Sequence, residues 1–235
     1  AIFKAAAGRG DAASLVKAMT RIEELYGGGY ADYIDAPFLA NHDQPRIANA
    51  LMAELDAMKM AGGLLLMMNG SPFVYYGEEI GMQSVGLADE NKRLPMKWYA
   101  DKEKAGMCAG PEASDQTFEQ TFPSVEEQLK DQDSLLNYYK RALKIRNHLP
   151  EIARGSVAKV ESLCQGNQAA IQKTYGDSMI GIVYNTGLEA ISVDLAGTEL
   201  EGLKADSFLC LHPKEKVSLK GSVLTMPARS IAILK

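Results

Sequence analysis

The spacing of apolar residues changes near residue 155. Before it they recur mostly at three- and four-residue steps, and beyond it at every second position. In the first part Asp11 stands where a helix N-cap belongs, and Leu15, Met19, Ile22 and Tyr26 lie on one helical face that Gly27-Gly28-Gly29 stops. Asp35-Ala36-Pro37-Phe38-Leu39 predicts a short buried strand, about Pro45 to Met68 a helix, and Pro72 to Tyr76 a second strand. Strand, helix, strand is the alternation of a parallel sheet. Residues 77–133 form a long irregular stretch with Gly77, Gly81, Gly86, Gly106 and Gly110, and such stretches inside a domain usually shape a site. Near its end Ser124-Val125-Glu126-Glu127 has the form of a capping box. Asp133 is placed to cap a helix with Leu135, Tyr138, Ala142, Ile145 and Leu149 on one face, and Pro150 closes it.

Beyond Gly155 the segments Gln168–Tyr175, Met179–Tyr184, Ile191–Leu195, Phe208–Leu211, Val217–Leu219, Val223–Thr225 and Arg229–Leu234 read as short strands between Gly, Asn, Asp and Pro turns. The predicted class is therefore α/β plus all-β, with residues 156–235 forming an antiparallel β-sandwich. Charge supports the division: residues 1–155 hold 17 basic and 22 acidic side chains and nine of the 11 Met, against 8 and 8 charges in residues 156–235. The net charge of −5, with no basic stripe, argues against nucleic acid or anionic lipid as partner. No apolar run approaches the roughly 18 residues of a membrane span. Cys108, Cys164 and Cys210 are too widely spaced for a disulfide framework or a zinc site. Ala1-Ile2-Phe3-Lys4 carries no legible address, and the chain reads as beginning in mid-protein.

Asn41-His42-Asp43 comes directly after the first predicted parallel strand, on the edge where α/β barrels build active sites. A carboxylate there opposes positive charge growing on a sugar ring, and an imidazole donates to a hydroxyl. Taken alone, Asp43 is better explained as the cap of the helix opened by Pro45, with His42 a surface or packing residue. Residues further along the chain reverse that preference. Phe38-Leu39-Ala40-Asn41-His42-Asp43 resembles the fourth signature region of the α-amylase family of glycoside hydrolases. About thirty residues on, Gly70, Pro72, Gly77 and Glu79 are similar to its eighth-strand signature. Arg93-Leu94-Pro95-Met96-Lys97-Trp98 and Asp133-Ser134-Leu135-Leu136-Asn137-Tyr138-Tyr139 resemble two later elements, so the likeness spans nearly the whole chain.

The resemblance implies that residues 1–155 are the C-terminal portion of a (β/α)8 catalytic barrel, about strands 7 and 8 with helices 6 to 8, and residues 156–235 the sandwich called domain C. Asp43 then matches the third active-site acid and His42 a substrate-binding histidine, with Asn41 supporting both. Arg46 is expected at the cleft or at a surface helix start. Glu78 and Glu79 are expected to hold the loop, and Trp98 with Met96 to offer an apolar wall to a glucosyl ring or to anchor packing. The substrate implied is an α-glucan or maltooligosaccharide, with α-glucosidase, transglycosylase or non-catalytic carbohydrate-binding module as alternatives.

A retaining glycosidase also needs a nucleophile and an acid/base carboxylate about 5–5.5 Å apart. The family's Gly-x-Arg-x-Asp region and subsequent Glu region are absent from these 235 residues. The chain thus reads as a C-terminal fragment, inactive when isolated. No cofactor is expected, with calcium possible in a full-length enzyme, although Asp89-Glu90-Asn91 reads better as a solvated turn. An extracellular or cell-surface bacterial location is implied by the family. Self-association is expected through an incomplete barrel that leaves Leu51, Leu55, Met58 and Leu65 uncovered.

Overall fold

The structure, a computed structural model, describes residues 1–9, 12–27 and 33–235. The expected Asp11 cap and the Gly28-Gly29 stop lie outside these residues. Every strand expected beyond Gly155 forms to within a few residues. They are β2 (Gln168–Tyr175), β3 (Ser178–Asn185), β4 (Ile191–Asp194), β5 (Ala205–Leu209), β6 (Ser218–Lys220), β7 (Val223–Met226) and β8 (Ser230–Leu234), preceded by an unexpected β1 (Ser156–Lys159). All pairs are antiparallel, in a five-stranded sheet of order β1-β2-β3-β8-β5 and a three-stranded sheet of order β4-β7-β6. Between them lies one apolar core: Ala170, Val183 and Ala232 of the large sheet meet Val193, Leu224 and Met226 of the small one.

The other face of the large sheet is not left to water. Ile171, Ile180, Ile182, Tyr184, Ile231 and Ile233 share a second core with the helices of the first part. This is why β3 and β8 read as nearly continuous apolar runs rather than alternating ones. The helices are α1 (Ile2–Ala6), α2 (Ala12–Ile22), α3 (Ile47–Ala50), α4 (Leu55–Leu66), α5 (Val125–Lys130), α6 (Leu135–His148) and α7 (Pro150–Arg154). Leu15 and Met19 of α2 are buried as expected, but the helix widens into a π-helical turn over Glu23–Gly27 that leaves Tyr26 exposed. α4 and α6 pack so closely that a Cβ on Gly62 would enter the Tyr139 ring. Only glycine permits that approach.

Two expected elements take a different form. The helix from Pro45 to Met68 is broken after α3, where Met52 and Ala53 adopt left-handed backbone angles, and Glu54 restarts it by accepting from the Asp56 and Ala57 amides. Asp133 does not cap α6. Ser134 does, through the Asn137 amide, while Asp133 bonds the buried Lys59 at 2.9 Å and His212 at 2.9 Å. The capping box at Ser124 and Glu127 forms as expected, and Pro150 ends α6 and opens α7.

The parallel strands shrink to a single bridge, Phe38 to Phe73, with Phe73 N donating to Pro37 O at 2.8 Å. A parallel strand needs neighbours on its edges, and here each segment meets only the other. Ile34, Phe38 and Phe73 stay exposed as a result. Leu51, Met58 and Leu65, by contrast, are buried and Leu55 is half-buried, with α4 packed against α1 and α6 and Leu51 and Met58 part of the core shared with the sheet. The surface expected to drive self-association is covered within the chain. No helix of the described residues is long and apolar enough to cross a membrane.

Candidate functional site

The Asn41-His42-Asp43 turn leaves the Phe38 bridge at its far end, beside the Tyr75-Tyr76 segment that comes after Phe73. Asn41 shapes it. Its Oδ1 accepts from the Asp43 amide at 2.9 Å, an Asx turn that fixes where the next two side chains project. His42 Nε2 lies 3.3 Å from Asp43 Oδ2, and Arg93 Nη2 lies 3.3 Å from Asp43 Oδ1. Lys92 Nζ donates to the Asp43 carbonyl at 3.0 Å and to Asp89 at 2.7 Å. Asp43 therefore stands between an imidazole and a guanidinium, its side chain 64% exposed. It caps nothing: the N-cap of α3 is Arg46, without a side-chain cap bond. The helix-cap alternative for Asp43 fails on that geometry.

Arg46 is at a helix start, but not on the surface. The residue is 1% exposed, with Nη1 donating to Tyr76 O at 2.6 Å and Nε to Lys92 O at 3.1 Å. Its guanidinium carbon lies 4.6 and 4.7 Å from the Tyr75 and Tyr76 ring centroids. Burial lowers its pKa, and the two tyrosines oppose the shift. Glu78 is also buried and accepts from the Tyr139 hydroxyl at 3.0 Å; desolvation pushes its carboxyl up to about 8. Glu79 is raised by burial as well. Glu78 faces the interior and ties its loop to α6, whereas Glu79 is half-buried.

Met96 is buried with Ile80, Met82 and Leu94 in a small separate core under the long loop, so it offers no wall to a ligand. Trp98 is 44% exposed, and its carbonyl accepts from the Glu126 amide. Arg93, not Trp98, is the member of that element that contacts Asp43. Neither Lys92 nor Arg93 was among the residues expected at the site. The signal available was position, since Arg93 opens the Arg-x-Pro-Met-x-Trp element.

Calcium does not fit Asp89-Glu90-Asn91. Asp89 is engaged by Lys92, and Asn91 Oδ1 accepts from the Asp115 amide at 2.7 Å. Among the described residues no three His, Cys, Asp or Glu side chains gather to hold a metal. A cavity of about 630 Å³ lies at the opposite ends of both parallel segments, around Asp35, Ser71, Arg146 and Arg154. Sites on parallel strands form at the ends where strands exit, so the Asp43 turn is the better candidate.

The family profile described as "Alpha amylase, catalytic domain" matches residues 11–155, and the chain belongs to the α-amylase family of glycoside hydrolases. Among curated proteins it is 30% identical over 187 residues to the alpha-amylase SusG of Bacteroides thetaiotaomicron, covering 74% of this chain and 25% of that protein. It is 33% identical over 147 residues to alpha-amylase 3 of Dictyoglomus thermophilum, covering 59% of this chain and 28% of that one. The solved structure of Eubacterium rectale Amy13B superposes with a TM-score of 0.90 at 33% identity, over 99% of this chain and 45% of that one. The chain thus spans about a quarter of these curated relatives and under half of the solved one.

Proposed function

We propose that the chain supplies the third acid of a retaining α-glucan hydrolase site, with Asp43 stabilising the oxocarbenium-like transition state and His42 and Asn41 binding and orienting the sugar. On this reading residues 1–155 are the last strands and helices of a catalytic barrel and residues 156–235 its domain C. The observation that carries it is Asp43 held between His42 and Arg93, exposed at the strand-exit side of the Phe38–Phe73 bridge. An exposed aspartate that makes no cap and no buried bond has little structural reason to be flanked there by an imidazole and a guanidinium. Arg93 joins the proposed site, to bind a sugar hydroxyl and to orient the Asp43 carboxylate.

The chemistry rests on charge. As the glycosidic bond breaks, positive charge develops at the anomeric centre, and a carboxylate fixed nearby stabilises that state more than the ground state. Bond cleavage itself requires two further carboxylates, a nucleophile and an acid/base, which this chain's motifs do not supply. The isolated chain is accordingly expected to release no reducing ends from soluble starch or maltooligosaccharides. Turnover proportional to its concentration and surviving repurification would overturn this. In an intact enzyme containing the chain, Asp43→Asn should lower kcat by about 10²-fold or more, while His42→Ala acts mainly on KM. A kcat within about twofold of the parent would remove Asp43 from the catalytic machinery.

A further inference from the structure

Arg46 joins three segments that come together only in the folded chain. Its Nε and the Tyr75 hydroxyl, at 3.1 and 3.2 Å, both donate to the carbonyl of Lys92. Its Nη1 holds the Tyr76 carbonyl, and both tyrosine rings flank the guanidinium. A planar guanidinium bonds two carbonyls in different directions while stacking; an ammonium does not. The backbone of Lys92 is thereby pinned from two sides, and the side chains on either side of that pinned carbonyl reach the Asp43 turn, Lys92 to the Asp43 carbonyl and Arg93 to its carboxylate.

A buried guanidinium is a costly way to fill space. Among the described residues Arg46 makes no direct ion pair; Glu78 and Glu79 lie near enough to favour its charged form, yet its Nη2 has no hydrogen-bond partner, as is also true of Glu78 Oε2 and Glu79 Oε2. An apolar side chain of similar volume would avoid the desolvation. What it would lack is the simultaneous hold on Tyr76 and Lys92. We propose that Arg46 is a positioning residue: acting through the Lys92 carbonyl, it sets Arg93 against Asp43 and so defines the cationic side of the sugar-binding site. The proposal rests on the reading of Asp43 given above.

Two measurements test it. In the isolated chain, hydrogen exchange of Arg46→Lys should accelerate across residues 89–96 and leave residues 168–184 at the parent rate. In the intact enzyme, Arg46→Lys should lower kcat/KM on maltooligosaccharides by about tenfold, divided between kcat and KM as it is for Arg93→Gln. Added to Arg93→Gln, it should cost less than about twofold more, because the group it acts through is already gone. Tyr75→Phe, which deletes only one hydroxyl, should reproduce the same division with a loss of about two- to fivefold. Losses that multiply in the double variant, or exchange that rises equally in 168–184, would overturn the positioning role and leave Arg46 a general structural residue. If Asp43→Asn and Arg93→Gln both prove silent, the glycosidase reading falls instead. The exchange result in the isolated chain then decides for or against Arg46.

Discussion

The two-sheet region and the helical region differ in where their strands find partners. Each strand from Ser156 onward finds its antiparallel partner inside residues 156–235, next along the chain for β2 and β3 and beyond several intervening strands for β3 and β8. The two parallel segments of the first region have only each other, and one bridge survives between them. The central antiparallel strands β2, β3 and β8 each have a partner on both edges, whereas each parallel segment has one on a single edge. The helices escape that shortage, because the large sheet provides the surface they need. Residues 156–235 therefore do close a core of their own between the sheets, but their outer face is completed by the first region.

The largest effect should come from that shared core. Ile182→Ala on β3 and Leu64→Ala on α4, both fully buried in it, should each cost about 2–5 kcal/mol and lower a single calorimetric transition. Two transitions, only one of them sensitive to Leu64→Ala, would show that the regions unfold independently. Gly62→Ala forces α4 away from the Tyr139 ring and should cost about 1–3 kcal/mol, measured by urea denaturation. A neutral result would mean that the helix pair is looser than its geometry implies.

Acid and base dependence sharpens the contrast, since Glu78 is buried under the helical region alone. Its folded carboxyl titrates at about 8 against an ordinary 4.5, so the native state binds the proton more tightly than the unfolded chain. That contribution is fully present below pH 4.5 and is lost as pH rises through about 8. Melting temperature should fall across this window, and Glu78→Gln should flatten the fall while keeping an acceptor for Tyr139. An unchanged slope in Glu78→Gln would place the dependence elsewhere. The smallest effect is expected at the exposed bridge: Phe73→Ser should change stability by no more than about 0.5 kcal/mol, because the ring is 63% exposed. A loss above that would show that the bridge carries more than its single pairing.

Much of this molecule is local and was therefore readable. The apolar, turn-bounded runs at Gln168–Tyr175 and Arg229–Leu234, the capping box at Ser124 and Glu127, and the stop at Pro150 each depend on residues a few positions apart. Asn41, His42 and Asp43 were readable for the same reason, as one tripeptide in a distinctive frame. The tertiary structure alone decided that Asp133 would bind Lys59 and His212 instead of capping α6, that Met96 would be buried, and that Leu51, Met58 and Leu65 would be covered within the chain. It alone brought Arg93 to Asp43 across 50 positions and sank Arg46 between two tyrosines. Local geometry is set by backbone dihedrals and near-neighbour bonds. The partner of a long charged side chain is set by which distant segments pack beside it, and spacing along the chain carries no record of that.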